Sequence, residues 1–302
     1  MSREGMLRAS VGVCAYNEEK NILACLESLV SQRLDGFFLE EIIVVSSGST
    51  DGTDRIVNEF AATDGRVRLL RQERREGKNS AVNLFISQTQ GDILVLANAD
   101  NRLEIGALQR LLEPFRDEKV GMAGGHPVPI NSKETFTGFA VHMLWDMHHR
   151  VSLLFPKTGE LVAFRNLGIQ LPVGTQSDED TMRMELEGRG YRTAYAPEAI
   201  VFNKGPTHIS DYIKQRTRVD IGEMYLKRWH NYSLPTWDTR TLFSALTGFA
   251  KENRRYLGKM AVAIALEYGA RFYARLYVAL DRGDKAVWLP VASSKDLDQA
   301  EK

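Results

Sequence analysis

The chain has 302 residues, which suffices for one catalytic domain with a sizeable core and an appended helical region. Its 39 basic and 39 acidic residues cancel, which argues against nucleic acid as a partner, because no net field attracts a polyanion. The two cysteines lack metal-like spacing, the N-terminus lacks an apolar signal core, and no uncharged apolar run reaches the roughly 18 residues of a membrane span. These features predict a cytoplasmic protein with reduced thiols.

Short β-branched runs alternate with helical segments over the first third of the chain. The predicted strands are 11–15, 41–45, 67–70 and 93–97, and the predicted helices between them are 18–31, 51–62 and 78–88. Such alternation predicts an α/β fold with a doubly wound, mainly parallel sheet. Ligands of such sheets lie at the carboxyl ends of the strands, and the polar motifs of this chain follow the first, second and fourth strands.

The pattern is less regular after residue 100. The predicted helices are 103–116, 136–154, 179–188 and 208–228, and the predicted strands are 120–124, 161–165, 191–195 and 199–202. An apolar helical region follows Pro235, and the chain ends in a polar stretch. We therefore expect a catalytic domain over 8–235, a C-terminal helical region over 236–290 and a polar tail over 291–302.

Two polar segments in the second half of the chain suit group transfer. Glu179 and Asp180 open one predicted helix, and Gln215 and Arg218 lie one turn apart on the next. A carboxylate can take the proton of an acceptor hydroxyl, and an arginine can hold a leaving diphosphate. The alternative is that the acids stabilise a helix N-terminus and the basic residues form a solvated helix face.

Asn98-Ala99-Asp100 follows the fourth predicted strand. Its carboxylate suits a hard divalent cation, Mn²⁺ or Mg²⁺, that bridges two phosphates, whereas the alternative is an Asx turn leaving the strand. Other polar groups are expected at the same edge of the sheet: Tyr16 to Glu19, Ser46 to Thr53, and Lys78 with Asn83. Helix capping and favourable first-turn acids account for part of the first two groups.

Together these segments resemble the ordered motifs of family 2 glycosyltransferases over about residues 10–228. The segment from Gln215 to Arg218 is similar to the Gln-x-x-Arg-Trp motif of cellulose, hyaluronan and poly-N-acetylglucosamine synthases. The resemblance implies a GT-A fold: a Rossmann-like, doubly wound mixed sheet with a C-terminal helical extension. It also implies metal-dependent, inverting transfer of a sugar from a nucleotide-diphosphate donor, with UDP favoured, to a hydroxyl of a saccharide or lipid-linked acceptor.

The resemblance also implies a role for each segment. Asp180 is expected to be the general base and Asp100 is expected to be the metal ligand. Arg218 and Gln215 are expected to bind the leaving diphosphate. Further residues are expected to line the donor: Ala15, Tyr16, Glu18, Ser47, Lys78, Asn83 and Asn98. Three weaker candidates are expected on the acceptor side: Glu179, Gly159 and His208.

Four positions depart from the family pattern. Ser46, Ser47 and Asn98 stand where family members usually carry Asp, and Val219 stands where the processive synthases carry Trp. The first three changes motivate an alternative function, a non-catalytic nucleotide-sugar-binding or scaffold module. The missing stacking ring at Val219 argues against long-chain processive synthesis.

The predicted C-terminal helix, 256–280, is apolar and aromatic apart from one narrow polar stripe. The stripe consists of Lys259, Glu267, Arg271 and Arg275, and a basic cluster of Lys251, Arg254 and Arg255 precedes the helix. Three uses of this helix stay open: packing on the catalytic domain, pairing in a homodimer, and peripheral contact of 251–280 with the cytosolic membrane face.

Overall fold

A computed structural model describes residues 5–174, 178–232, 239–280 and 294–295. Its first four strands are parallel and lie in the order β3-β2-β1-β4. They are β1 (Leu7–Ala15), β2 (Phe37–Ser47), β3 (Val67–Gln72) and β4 (Ile93–Asn98). The connecting helices are α1 (Ile22–Val30), α2 (Thr53–Ala61) and α3 (Lys78–Gln88). This half of the sheet is the βαβ alternation that the sequence predicts.

The second half makes the sheet mixed. It contributes β5 (Arg102–Leu103), β6 (Val120–Pro129), β7 (Leu161–Arg165) and β8 (Arg192–Asn203). β7 pairs antiparallel with both β4 and β6, and the described residues give the order β3-β2-β1-β4-β7-β6-β8-β5. The helices of this half are α4 (Ala107–Leu112), α5 (Phe136–Ser152), α6 (Asp178–Gly188) and α7 (Ile209–His230).

Helices cover both faces of the sheet, which is why the central strand β4 is apolar from Ile93 to Ala97. Along β4, Val95 and Ala97 pack in a cluster with α1 and α4, and Leu94 and Leu96 pack in a second cluster with α3 and α6. The alternation follows from the two-residue period of a strand. The two clusters fix β1 and β4 rigidly, so the loops at their carboxyl ends are held in place.

Two predicted elements differ in detail from the structure. The two strands predicted on either side of Pro197 form one strand, β8, because the pairing with β6 shifts register between Gly124 and His126. Such an irregularity accommodates a proline, which has no N–H to donate. The helix predicted over 103–116 is shorter, because β5 takes its first residue and a 3-10 turn, Glu113–Arg116, its last ones.

The C-terminal region adds α8 (Thr239–Glu252) and α9 (Leu257–Ala279). α9 packs along α7, and α5 contacts both α8 and α9. In the described ranges, no helix is long and apolar enough to cross a bilayer. Pro235 and most of the predicted tail lie outside the described residues, so the predicted domain limits stay predictions.

Candidate active site

The carboxyl ends of β1, β2 and β4 open into a cavity of about 880 Å³ that also borders α6 and α7. Because parallel strands end at the same edge of the sheet, motifs far apart in the sequence meet there. Most of the predicted site residues line this cavity: Ala15, Tyr16, Glu18, Ser47, Lys78, Asn98, Asp100, Gly159, Glu179, Asp180, Gln215 and Arg218. The structure therefore brings the predicted donor, metal and catalytic residues together.

Two predicted residues are placed elsewhere. Asn83 exchanges two hydrogen bonds of 2.8 Å with the backbone N–H and C=O of Leu171, so its side chain holds the segment after β7. It lies five positions after Lys78 on α3, which turns it away from the face that Lys78 presents. His208 precedes α7, with its Nδ1 atom 3.2 Å from the Thr207 hydroxyl. Among the residues that the structure describes, neither belongs to the cavity wall.

The loops after β1 and β2 brace one another. The Asn17 side chain accepts a 2.8 Å hydrogen bond from the backbone N–H of Thr50, and the backbone N–H of Glu18 donates to the Thr53 hydroxyl at 2.8 Å. Asn17 has a φ of 53°, a left-handed conformation that asparagine adopts more readily than most residues. The result is a fixed loop whose outer residues, Tyr16 and Glu18, face the cavity.

Arg75 contributes to this end of the cavity, although the sequence analysis does not select it. Its guanidinium carbon lies 4.2 Å from the centre of the Tyr16 ring, which is cation–π geometry. Nearby, the Ser47 hydroxyl accepts a 3.2 Å hydrogen bond from the backbone N–H of Glu76. Arg75 follows β3, the third parallel strand, and its position at that edge is the signal that could have found it.

Asp100 lies at the end of β4 with acidic groups around it. Burial, together with the charges of Glu160 and Glu18, raises the pKa of Asp100 to about 7. The Lys295 ammonium offsets part of this rise, and it pairs with a Glu18 carboxylate oxygen at 2.6 Å. A divalent cation would relieve the same repulsion, and carboxylate oxygens are the donors that Mn²⁺ and Mg²⁺ accept.

Glu160 is the second residue that sequence reasoning did not select. β4 and β7 run antiparallel with Ala97 opposite Leu161, which places Glu160 beside Asn98. The Asn98 amide nitrogen donates a hydrogen bond to the Glu160 carboxylate, and the Asn101 amide donates to the Glu160 carbonyl oxygen at 3.0 Å. A carboxylate thus stands next to the position where the family carries its first Asp.

These donors fit a cation that also binds the nucleotide. No group of three or more His, Cys, Asp or Glu side chains with metal-ligand geometry occurs within the described ranges. Asp100 and Glu160 would therefore share the ion with phosphate and water oxygens, which is the usual arrangement for Mg²⁺ and Mn²⁺ at nucleotide sites.

The acids at the start of α6 differ in their partners. The Lys78 ammonium lies 2.7 Å from a carboxylate oxygen of Asp178 and 3.7 Å from one of Glu179, so Lys78 anchors the first turn of α6. Burial raises the pKa of Glu179 well above its ordinary value, whereas that of Asp180 rises to about 6, mainly through burial. With a pKa of about 6, Asp180 is ionised at neutral pH, and it lines the cavity.

α7 supplies the cationic wall. Gln215 and Arg218 lie three positions apart on one face of the helix, and both line the cavity. Burial lowers the pKa of Arg218, and the carboxylates of Asp178 and Glu160 oppose this effect. The guanidinium keeps its charge at any physiological pH, so it suits a bidentate contact with phosphate.

Comparison with known protein families identifies the family of this chain. The family model described as glycosyl transferase family 2 matches residues 10–176, more than half of the chain. The chain belongs to glycosyltransferase family 2. The match covers the loops after β1, β2 and β4, together with Glu160.

Several curated glycosyltransferases are similar to this chain in sequence. Glycosyltransferase GlyG of Streptococcus pneumoniae is 30% identical over 117 residues, 39% of this chain and 38% of that protein. The probable glycosyltransferase YdaM of Bacillus subtilis is 28% identical over 239 residues, 72% of this chain and 56% of that protein. An N-acetylglucosaminyltransferase of Rhizobium meliloti is 26% identical over 228 residues, with 68% and 53% covered. The aligned parts thus span 38% to 56% of these relatives.

A solved structure shows the same fold. The mannosyltransferase PcManGT from Pyrobaculum calidifontis, determined in complex with GDP-Man and Mn²⁺, superposes with a TM-score of 0.63 at 20% identity. The alignment covers 92% of this chain and 88% of that one. The family 2 chain described here therefore has a GT-A fold, as its sequence motifs predict.

Proposed function

We propose that this chain is a metal-dependent, inverting glycosyltransferase that moves a sugar from a nucleotide-diphosphate donor to a hydroxyl of a saccharide or lipid-linked acceptor. The observation that carries the proposal is that Asp180, Asp100 and Arg218, from three separate elements, line one cavity. The GDP-Man and Mn²⁺ of the mannosyltransferase support this class of donor and a divalent cation. The sequence favours UDP, so both nucleotides belong in the tests.

In this mechanism Asp180 takes the proton of the acceptor hydroxyl, and the hydroxyl oxygen attacks the anomeric carbon from the side opposite to the nucleotide. Attack from that side inverts the configuration. Arg218 and Gln215 hold the departing diphosphate by hydrogen bonds, so the leaving group needs no proton. A divalent cation held by Asp100 and Glu160 would supply further positive charge to that diphosphate. Lys78 keeps Asp180 in place by anchoring the first turn of α6.

The metal role of Asp100 and Glu160 predicts how nucleotide affinity responds to mutation. We expect Asp100→Ala to abolish the Mn²⁺ dependence of UDP or GDP binding, and Glu160→Gln to weaken Mn²⁺ binding in the nucleotide complex by about 10- to 100-fold. The measurements are calorimetric titration with Mn²⁺ or with chelator, and the electron paramagnetic resonance signal of free Mn²⁺. Glu59→Gln, at an exposed surface pair, is the control. Equal nucleotide affinity in all variants and conditions would mean that Asn98-Ala99-Asp100 is only a turn.

The alternative, a non-catalytic nucleotide-sugar-binding or scaffold module, rests on Ser46, Ser47 and Asn98 at positions where the family usually carries Asp. The presence of both Asp180 and Arg218 in the cavity favours the enzyme, because a binding module has no use for a base beside the acceptor. Hydrolysis of the donor by the purified protein distinguishes the two, since a scaffold would bind the donor and leave it intact.

A further inference from the structure

Two polar side chains of α9, Glu267 and Arg271, point toward α7, whereas Arg275 is exposed. Both carboxylate oxygens of Glu267 accept hydrogen bonds of 3.0 Å from Arg216 Nε, and one accepts a 2.6 Å bond from the Tyr212 hydroxyl. Arg271 Nε lies 3.6 Å from a carboxylate oxygen of Asp220. The sequence suggests that the polar stripe is the solvent-exposed face of this helix. At Glu267 and Arg271, however, the stripe packs against α7.

The opposite face of α9 carries the large apolar side chains. Their exposed fractions run from 47% to 70%: Leu257, Val262, Tyr268, Phe272, Tyr273, Leu276 and Leu280. The basic cluster of Lys251, Arg254 and Arg255 directly precedes α9 in the chain, and all three residues are exposed. A long apolar face with basic residues at one end is typical of helices that lie in the surface of an anionic bilayer.

The catalytic cavity opens on this apolar face. Phe243 of α8 and Tyr268 of α9 are exposed at 69% and 70%, and both also line the cavity that contains Asp180. Further apolar residues from α5, α8 and α9 line the same cavity: Val141, Leu144, Met147, Leu242, Leu246 and Ile264. These apolar residues and Asp180 line one cavity, so a hydrocarbon chain bound along them would share that cavity with the carboxylate.

We propose that the acceptor is a lipid-linked molecule, that its hydrocarbon chain lies between α5, α8 and α9, and that it enters from a membrane surface docked on the α8–α9 face. This inference rests on the proposed glycosyl transfer and assigns the acceptor class of that reaction. Because Phe243 and Tyr268 are exposed on this face and also line the cavity, a second copy packed there would block access to the cavity, whereas a bilayer would supply the lipid-linked acceptor directly to it. The exposed basic residues complement anionic lipid headgroups.

Vesicle flotation tests the docking surface. The full chain is mixed with phosphatidylcholine vesicles, with or without phosphatidylglycerol. We expect flotation of the wild type, stronger with the anionic lipid, and loss of flotation in Phe272→Glu. Ile105→Glu is the matched control, because Ile105 is 78% exposed in the turn between β5 and α4. No flotation with either vesicle overturns the docking proposal, as does a dimer in solution that Phe272→Glu converts to a monomer.

Chain-length dependence tests the acceptor site. Binding of hexyl and dodecyl glucoside, below their micellar concentrations, is followed by tryptophan fluorescence, since Trp145 lines the cavity. We expect dodecyl glucoside to bind the wild type at least about tenfold more tightly, because each buried methylene strengthens binding about fourfold. Phe243→Glu should lose this difference.

Nucleotide binding in the same samples distinguishes failure of the lipid-acceptor proposal from failure of the proposed glycosyl transfer. Equal affinity for both glucosides, with Mn²⁺-dependent binding of UDP or GDP intact, would overturn the lipid acceptor and leave the proposed transfer standing. If the wild type binds neither UDP nor GDP, the proposed transfer is overturned, and the lipid acceptor with it.

Discussion

Asp180→Asn is expected to lower the rate of sugar transfer by a factor of about 10² to 10⁴ and to leave nucleotide binding nearly intact. The amide keeps the shape of the carboxylate but cannot accept the proton of the acceptor hydroxyl. Release of nucleoside diphosphate and calorimetric nucleotide binding are measured on the same samples. Glu185→Gln, an exposed acid on the same helix, is the matched control. Turnover of Asp180→Asn within tenfold of the wild type would remove Asp180 from the catalytic role.

The pH dependence of turnover tests the role of Asp180 independently. Burial raises the pKa of Asp180 to about 6, and only the ionised form can act as a base. At saturating Mn²⁺, which keeps Asp100 ionised, wild-type turnover should therefore fall as the pH drops through about 6 and level off above it. Asp180→Asn should lack this inflection, whereas Glu185→Gln should keep it. A wild-type profile that is flat between pH 5 and 8 would contradict the assignment.

Glu267→Ala is expected to lower the free energy of unfolding by about 3 kcal/mol, because the buried Arg216 guanidinium loses its 3.0 Å carboxylate partner and Asp220 lies 3.9 Å away. It also removes the acceptor of the Tyr212 hydroxyl. Urea denaturation measures the change. Glu59→Ala breaks an exposed ion pair with Arg55 and should change stability by less than about 0.5 kcal/mol. An unchanged midpoint for Glu267→Ala would mean that the polar contacts of α9 with α7 do not hold this helix.

Much of the site was predictable because its residues follow parallel strands. Tyr16, Ser47 and Asp100 each come directly after an apolar run, and the geometry of a doubly wound sheet requires those ends to meet. Asp180 and Arg218 come from helices outside the βαβ pattern, and only their resemblance to family motifs linked them to the same cavity. Local pattern alone explains them equally well as helix-end charges.

Glu160 and the orientation of α9 were not predictable from the sequence. Glu160 reaches Asn98 through the antiparallel register of β7 with β4, across 62 positions of sequence. The sequence of α9 shows that one face is apolar and the other polar, but not which face packs against the protein. The orientation depends on two buried partners on α7, Arg216 and Asp220. From the sequence alone, these two residues are expected on a solvent-exposed helix face.

The most direct test of the central claim is donor turnover by the purified chain. UDP-sugars and GDP-mannose are incubated with the protein in Mn²⁺ or in chelator, and the nucleoside diphosphate released is quantified by chromatography. We expect nucleoside diphosphate to be released from at least one donor in Mn²⁺. We expect no release with chelator or with Asp100→Ala. Donors that bind in Mn²⁺ but release no nucleoside diphosphate, with or without an added lipid-linked acceptor, would contradict it.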